Sequence, residues 1–193
     1  MKLIKIIPLL AILIACGGNF PELIDLSRYE FHLVNQDGKN VVFPQNIKGK
    51  ITVAGYIFTN CPDICPLTTN NMRLLKEMLK REGIRDVNFV SISFDPANDT
   101  PEVLKKYAEI RNLDTDNWEF LTGSRSEIDS LMKTVEVLAV PGDSTTLADG
   151  KKIYYYVHTD RIQLIDRDGV VRKNYPGSKL NLEEIYADIK KLM

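Results

Sequence analysis

From Tyr29 onward the chain alternates short apolar runs with amphipathic stretches, and the period of each run predicts its element. Ile51–Phe58 (ITVAGYIF) and Val87–Phe94 (VNFVSISF) are nearly continuous and apolar, as in strands buried on both faces. Leu67–Arg81 places Leu67, Leu74, Leu75, Met78 and Leu79 at helical spacing and stops before Gly83. Thr100-Pro101-Glu102 reads as a helix start, with a hydroxyl cap, proline at the first position and an acid in the first turn; that helix is expected to reach about Asn112. Trp118–Leu121 predicts a short strand, and Ser124-Arg125-Ser126-Glu127 a capping box opening a helix to about Val137. Two Asp-Gly turns, Asp37-Gly38 and Asp168-Gly169, predict hairpins joining Tyr29–Val34 to Asn40–Phe43 and Arg161–Ile165 to Val170–Lys173. Pro141 to Lys152 reads as a polar loop, and Asn181 caps a last helix through Lys191.

Strands separated by helices run parallel, and the closing hairpin adds antiparallel strands. The expected architecture is α/β: a thioredoxin-like three-layer sandwich, with a mixed central sheet, helices on both faces and an added N-terminal β-hairpin.

The first stretch follows different rules. Met1 to Ala15 has two lysines, no acid and an apolar run from Ile6 to Ala15. That run is shorter than the roughly 17–25 residues of a membrane-spanning helix, so residues 1–15 read as a signal peptide outside the fold. Leu13-Ile14-Ala15-Cys16-Gly17-Gly18 is similar to the lipobox of bacterial lipoproteins, which implies a lipid on Cys16 as the first residue of the mature chain. The expected organisation is a signal peptide over 1–15, a linker over 16–28 and one domain over 29–193. Such a protein faces an oxidising space outside the cytoplasm, tethered to a bacterial membrane by lipid.

Composition narrows the function. Twenty-five basic residues oppose twenty-six acidic ones, 44% of residues are hydrophobic and 26% charged. These values exclude a disordered tail and a multi-span membrane protein, and a pI near 6.2 with mixed charge signs offers no electrostatic case for nucleic acid. With Cys16 assigned to lipid, Cys61 and Cys65 are the remaining thiols.

Those two lie in Cys61-Pro62-Asp63-Ile64-Cys65-Pro66, between a predicted strand and a predicted helix. Pro66 places the helix start at itself, since its ring disfavours helical geometry at Cys65 and clashes with the Pro62 carbonyl if the helix begins earlier. Both thiols then sit on the loop before a helix N-terminus, whose dipole and free N–H groups favour thiolates. The spacing exceeds the C-x-x-C of thiol oxidoreductases by one residue, opening the pair enough to grip an ion while still allowing a disulfide. A plain disulfide is the alternative.

His32, in Phe31-His32-Leu33, reads as a surface strand residue. His158 precedes the strand Arg161–Ile165, which in a thioredoxin-like layout passes beside the cysteine loop, where thiol oxidoreductases carry a cis-proline. Two thiolates and an imidazole form a soft three-donor site. Cu(I) accepts three donors; an Fe–S cluster and structural zinc want four. Zinc with an open water position, and Asp63 as a further donor, remains open. Asp95 and Asp99 are expected to form a turn and cap before Pro101, with support of the site as the alternative. Tyr154-Tyr155-Tyr156 reads as strand and core edge.

Cys61-Pro62-Asp63-Ile64-Cys65-Pro66, Asp95-Pro96-Ala97-Asn98-Asp99-Thr100-Pro101, and Val157-His158-Thr159 leading to Leu164-Ile165-Asp166-Arg167-Asp168-Gly169 together resemble the Sco/SenC family of copper proteins for cytochrome c oxidase assembly. Asp37-Gly38-Lys39, Gly49-Lys50, Tyr56 to Asn60 and Leu121-Thr122-Gly123 extend the resemblance over Tyr29 to the C-terminus. It implies a thioredoxin-like fold and one copper ion, Cu(I) or Cu(II), on Cys61, Cys65 and His158. It further implies delivery of copper to the dinuclear centre of oxidase subunit II, by a chain expected to be a monomer, or reduction of that centre's cysteines by the Cys61–Cys65 redox pair. Two positions depart from the family pattern: Val157 stands where an acid commonly precedes the histidine, and Gln163 where an aromatic is frequent. A peroxide-reducing enzyme of related fold lacks an identifiable polar constellation in this chain.

Overall fold

The computed structural model describes residues 20–146 and 152–193. In chain order the elements are β1 (Ile24–Asp25), β2 (Phe31–Asn35), β3 (Asn40–Phe43), β4 (Ile51–Ile57), α1 (Ile64–Arg81), β5 (Val87–Ser93), α2 (Pro101–Ile110), β6 (Trp118–Gly123), α3 (Arg125–Thr134), β7 (Ala139–Thr146), β8 (Lys152–His158), β9 (Ile162–Ile165), β10 (Val170–Tyr175) and α4 (Leu182–Leu192). The expected signal peptide, and Cys16 with the lipid expected on it, lie outside the described residues.

Eight strands form one mixed sheet in the order β1-β10-β9-β4-β5-β6-β2-β3. Its centre is β4, buried at every position, parallel to β5 and antiparallel to β9. The expected N-terminal hairpin is β2–β3, attached antiparallel to β6. Gly38 and Gly169 turn the two hairpins with φ of 73° and 85°, a region costly for side-chain-bearing residues.

Helices cover both faces. α1 packs on β4 so closely that a Cβ on Gly55 would stand 2.6 Å from the Met72 sulfur. α4 lies against α1, and α2 joins them through a 2.9 Å hydrogen bond between Thr69 and Tyr107. α3 covers the opposite face, where the buried Gln163 amide donates to the Val135 carbonyl at the helix's end. The predicted caps form: Thr100 accepts from the Val103 N–H, Ser124 from Glu127 and Asn181 from Glu184. The Glu127 carboxylate does not close the capping box; it accepts from the His32 N–H of β2 and so ties α3 to the sheet.

Three expectations are corrected. α1 begins at Ile64, not Pro66, so Cys65 belongs to its first turn. Pro66 is tolerated there because the first four N–H groups of a helix have no internal partner, and Pro62 stays outside the helix, which removes the clash. Second, the stretch expected to be a polar loop contains most of β7, Pro141 to Thr146, and the first residue of β8; β7 and β8 form an antiparallel hairpin, a sheet of its own. Pro141 and Gly142 of β7 hid it; they stand at a register shift between Pro141 and Ser144, where a strand tolerates both. Third, within the expected linker, Ile24–Asp25 pairs with Val170–Val171 and Leu26 is fully buried.

β4 and β5 are in register from Ile51↔Val87 to Ile57↔Ser93, so both strands end at the same level. Phe58 and Phe94 follow side by side, the Phe94 N–H donating to the Ile57 carbonyl at 3.1 Å. The cysteine segment grows from one strand end and the Asp95–Asp99 turn from its neighbour. In open parallel sheets this edge is where functional loops gather.

Candidate metal centre

Cys61 closes a turn after β4, its N–H donating to the Phe58 carbonyl at 3.3 Å. Four residues on, the Cys65 N–H donates to the Cys61 sulfur at 3.4 Å. Asp63 occupies the N-cap position of α1 without a side-chain hydrogen bond, so a sulfur takes the capping role. The Cys65 sulfur accepts from the Phe58 N–H at 3.5 Å and is fully buried.

His158 ends β8 and reaches this pair across 93 residues of sequence. Its Nε2 stands 3.9 Å from the Cys65 sulfur, and its Nδ1 lies 3.2 Å from the Thr159 carbonyl. With Nδ1–H donating to that carbonyl, the Nε2 lone pair faces the sulfurs, the tautomer a ligand needs. One donor atom from each of Cys61, Cys65 and His158 lies within 4.8 Å of the others. The sequence-predicted triad therefore converges. His32 is exposed on β2, separated from β4 by β5 and β6.

The two thiols are driven apart in acidity. Hydrogen bonding from Cys65 holds the Cys61 thiol down to about 3; partial burial opposes this, and His158 and the Cys65 N–H reinforce it. Cys65, sharing that hydrogen bond as the protonated partner and deeply buried, is pushed far up. Burial disfavours charge on His158, yet the Cys61 sulfur and the Thr159 carbonyl outweigh it and raise its pKa. Cys61 is thus the sulfur that ionises readily and Cys65 the one that keeps its proton. Coordination through both sulfurs and the ring would release protons.

Behind the donors lies a support that the sequence only half disclosed. Asp99 is fully buried; its carboxylate accepts from the Thr59 N–H at 3.0 Å, from the Thr59 hydroxyl at 2.5 Å and from Ser93 at 2.5 Å. It thus fixes the residue two before Cys61, while burial raises its pKa against these bonds. Asp95, 1% exposed, accepts from the Tyr154 and Tyr156 hydroxyls at 2.6 and 3.1 Å. The turn expected of this segment also forms, with the Asp99 N–H donating to the Asp95 carbonyl at 2.9 Å and Thr100 capping α2. Phe58 and Phe94 were missed as site residues because apolar strand ends carry no chemical signal. Their rings lie 6.3 and 5.1 Å from the His158 ring.

Both family-pattern departures find a physical place. Val157 is 62% exposed, facing away from the site by strand alternation, and the Thr159 carbonyl partners His158 Nδ1. Gln163, fully buried, accepts from the Tyr56 hydroxyl and donates to Asn174.

A thioredoxin-like domain with a Cys-Cys-His cluster at the sheet's carboxyl edge defines the class of protein. The SCO1/SenC family profile matches residues 25–193, and the chain belongs to that family. It is 39% identical over 184 residues to the "SCO1 protein homolog" of Bacillus subtilis (strain 168), covering 92% of this chain and 89% of the relative. The crystal structure of a SCO1/SenC family lipoprotein from Bacillus anthracis str. Ames superposes with a TM-score of 0.71 at 39% identity, over 85% of this chain and 93% of that one. ScoI of Bradyrhizobium japonicum, solved with copper bound, superposes with a TM-score of 0.70 at 32% identity, over 86% of this chain and 98% of that one.

Proposed function

We propose that this protein carries copper for cytochrome c oxidase assembly, holding one ion through Cys61, Cys65 and His158 and passing it to the dinuclear centre of oxidase subunit II. The convergence of two sulfurs and an imidazole Nε2 within 4.8 Å carries the reading. A soft donor set of three suits Cu(I), and the copper-bound Bradyrhizobium relative supports the choice of metal. Cys61 needs no deprotonation, Cys65 gives up its proton on binding, and Thr159 holds the ring so that Nε2 faces the ion. Release then proceeds by ligand exchange, with incoming thiolates of the acceptor displacing His158 and the sulfurs in turn.

Titration of the reduced protein with Cu(I) against a competing chelator tests this. One equivalent should bind, and His158→Ala should weaken binding at least about 10-fold, the scale of loss when metal-site orientation is disturbed. No binding, or unchanged affinity in His158→Ala, would sink the copper-carrier reading.

The asymmetry of the thiols favours a second reading, reduction of the acceptor's cysteines. The Cys61 thiolate would attack an acceptor disulfide, forming a mixed disulfide and releasing one acceptor thiolate. Cys65 would then lose its proton and attack the Cys61 sulfur, releasing the second acceptor thiolate. The acceptor gains two electrons and this chain ends as the Cys61–Cys65 disulfide. Here His158→Ala is mild, whereas Cys61→Ser and Cys65→Ser each abolish turnover.

We place the domain on the outer side of a bacterial membrane, tethered through a lipid on Cys16. The lipobox-like Leu13-Ile14-Ala15-Cys16 and the lipoprotein relative of Bacillus anthracis support this. Among the described residues no helix is long and apolar enough to cross a membrane. Metabolic labelling with palmitate should mark the wild-type chain and spare Cys16→Ser; equal labelling of both would remove the anchor.

A further inference from the structure

Among the described residues β7 and β8 pair only with each other, and an isolated two-stranded hairpin is marginal in water. Yet the end of β8 must hold His158 at a set distance from two sulfurs. Alternation sends Tyr154, Tyr156 and His158 to the inner face and Tyr155 and Val157, 53% and 62% exposed, to the outer one. The inner face rests on Phe58 and Phe94: Tyr156 lies 5.1 Å from the first ring and 5.3 Å from the second, and Tyr154 6.1 Å from Phe58. Ring packing resists lifting but slides easily, so it does not set register.

Asp95 supplies the missing direction. It stands past the end of β5, buried, with its own N–H donating to Ser93 Oγ at 3.0 Å and both carboxylate oxygens held by the Asn98 side-chain amide at 3.0 and 3.2 Å. From this fixed mount Oδ2 accepts from Tyr154 and Oδ1 from Tyr156, with the Arg125 guanidinium 3.8 Å from Oδ1. Two attachment points two residues apart define a line, where one would leave a pivot. The line extends a further two residues, about 7 Å at strand rise, to His158. At the base of the hairpin the Thr159 N–H donates to the Leu138 carbonyl and the Leu138 N–H to the Thr159 hydroxyl, a second stop beyond the ring.

We propose that Asp95, gripping the hydroxyls of Tyr154 and Tyr156, is the positioning residue that aims the β7–β8 hairpin and so sets His158 against Cys61 and Cys65. The proposal rests on the copper-carrier reading for its consequence but not for its geometry. Loss of the grip turns a three-donor site into a two-sulfur site without touching a donor.

The test is the double variant Tyr154→Phe/Tyr156→Phe, which keeps both rings and removes both hydroxyls, with Asp95→Asn alongside. Hydrogen exchange in the metal-free protein should show the hairpin amides of 139–146 and 152–158 exchanging about 10-fold faster or more, while β4 and β5 amides keep their wild-type protection. Cu(I) affinity should fall by about the same factor as in His158→Ala, and adding His158→Ala to the double variant should cost no more, because the ring is already misplaced. Unchanged hairpin exchange overturns the proposal, as does a loss that multiplies with that of His158→Ala. If the wild-type protein binds no copper, the copper-carrier reading fails while exchange still decides the grip.

Discussion

At the scale of single residues the site works by making two identical side chains unlike. Cys61 faces a free helix amide and an imidazole, whereas Cys65 is sealed beneath α1 and donates to its partner. The expected consequence is selective chemistry. Iodoacetamide at pH 6, where an ordinary thiol near 8.5 is almost entirely protonated, should label Cys61 of the reduced metal-free protein and leave Cys65 untouched, as read by peptide mass spectrometry. The Cys61 pKa of about 3 gives the sign: rate should hold nearly flat from neutral pH down to pH 5 rather than fall tenfold per unit. Labelling shared equally by the two cysteines would show that their protonation states are not separated. Half of this was legible in the sequence: proline-flanked thiols before a helix predict easy ionisation of both, which holds for Cys61 and fails for Cys65, whose thiol is pushed up by its hydrogen bond to Cys61 and by burial. Which of the two ionises was not, because it depends on which sulfur accepts the hydrogen bond of the other and on how deeply the fold buries Cys65.

At the scale of elements, caps and turns followed local chemistry closely. Thr100, Ser124 and Asn181 cap the helices that their positions forecast, and both Asp-Gly turns form. Failures cluster where a partner strand overrides local preference: Ala139–Thr146, with its Pro-Gly pair, is a strand only because the aromatic Tyr154–Tyr156 stretch pairs with it. The β4–α1 contact is a further element-level fact hidden from pattern. Gly55 looks like a flaw in an apolar strand, yet its missing side chain admits Met72. Gly55→Ala should lower unfolding stability by about 1–3 kcal/mol in urea titration, with part recovered by Met72→Ala in the same chain. A neutral Gly55→Ala would mean that α1 stands off the strand further than described.

The whole molecule is a sheet whose centre is completed by a strand from late in the chain. β9, from late in the chain, inserts between β10 and β4 and carries the hairpin above it to the cysteine edge. The far edge is finished by β1, which protects β10 and seats Leu26 in the core. A chain starting at Tyr29 should therefore be less stable than one starting at Phe20 by about 2–5 kcal/mol, the cost of losing a buried leucine. Equal unfolding midpoints would make residues 20–28 a linker after all.

What the sequence alone determined is what short range can decide: the fold class from alternating periods, helix starts from capping side chains, turns from Asp-Gly, and the donors from the rarity of cysteine and histidine. Tertiary structure alone decided that the His158 nitrogen comes within 3.9 Å of a sulfur 93 residues earlier, that two tyrosines meet Asp95, and that Val157 faces solvent. Those outcomes depend on strand order and register. Register is a sum of many weak pairings across the sheet, and no window of the chain contains it.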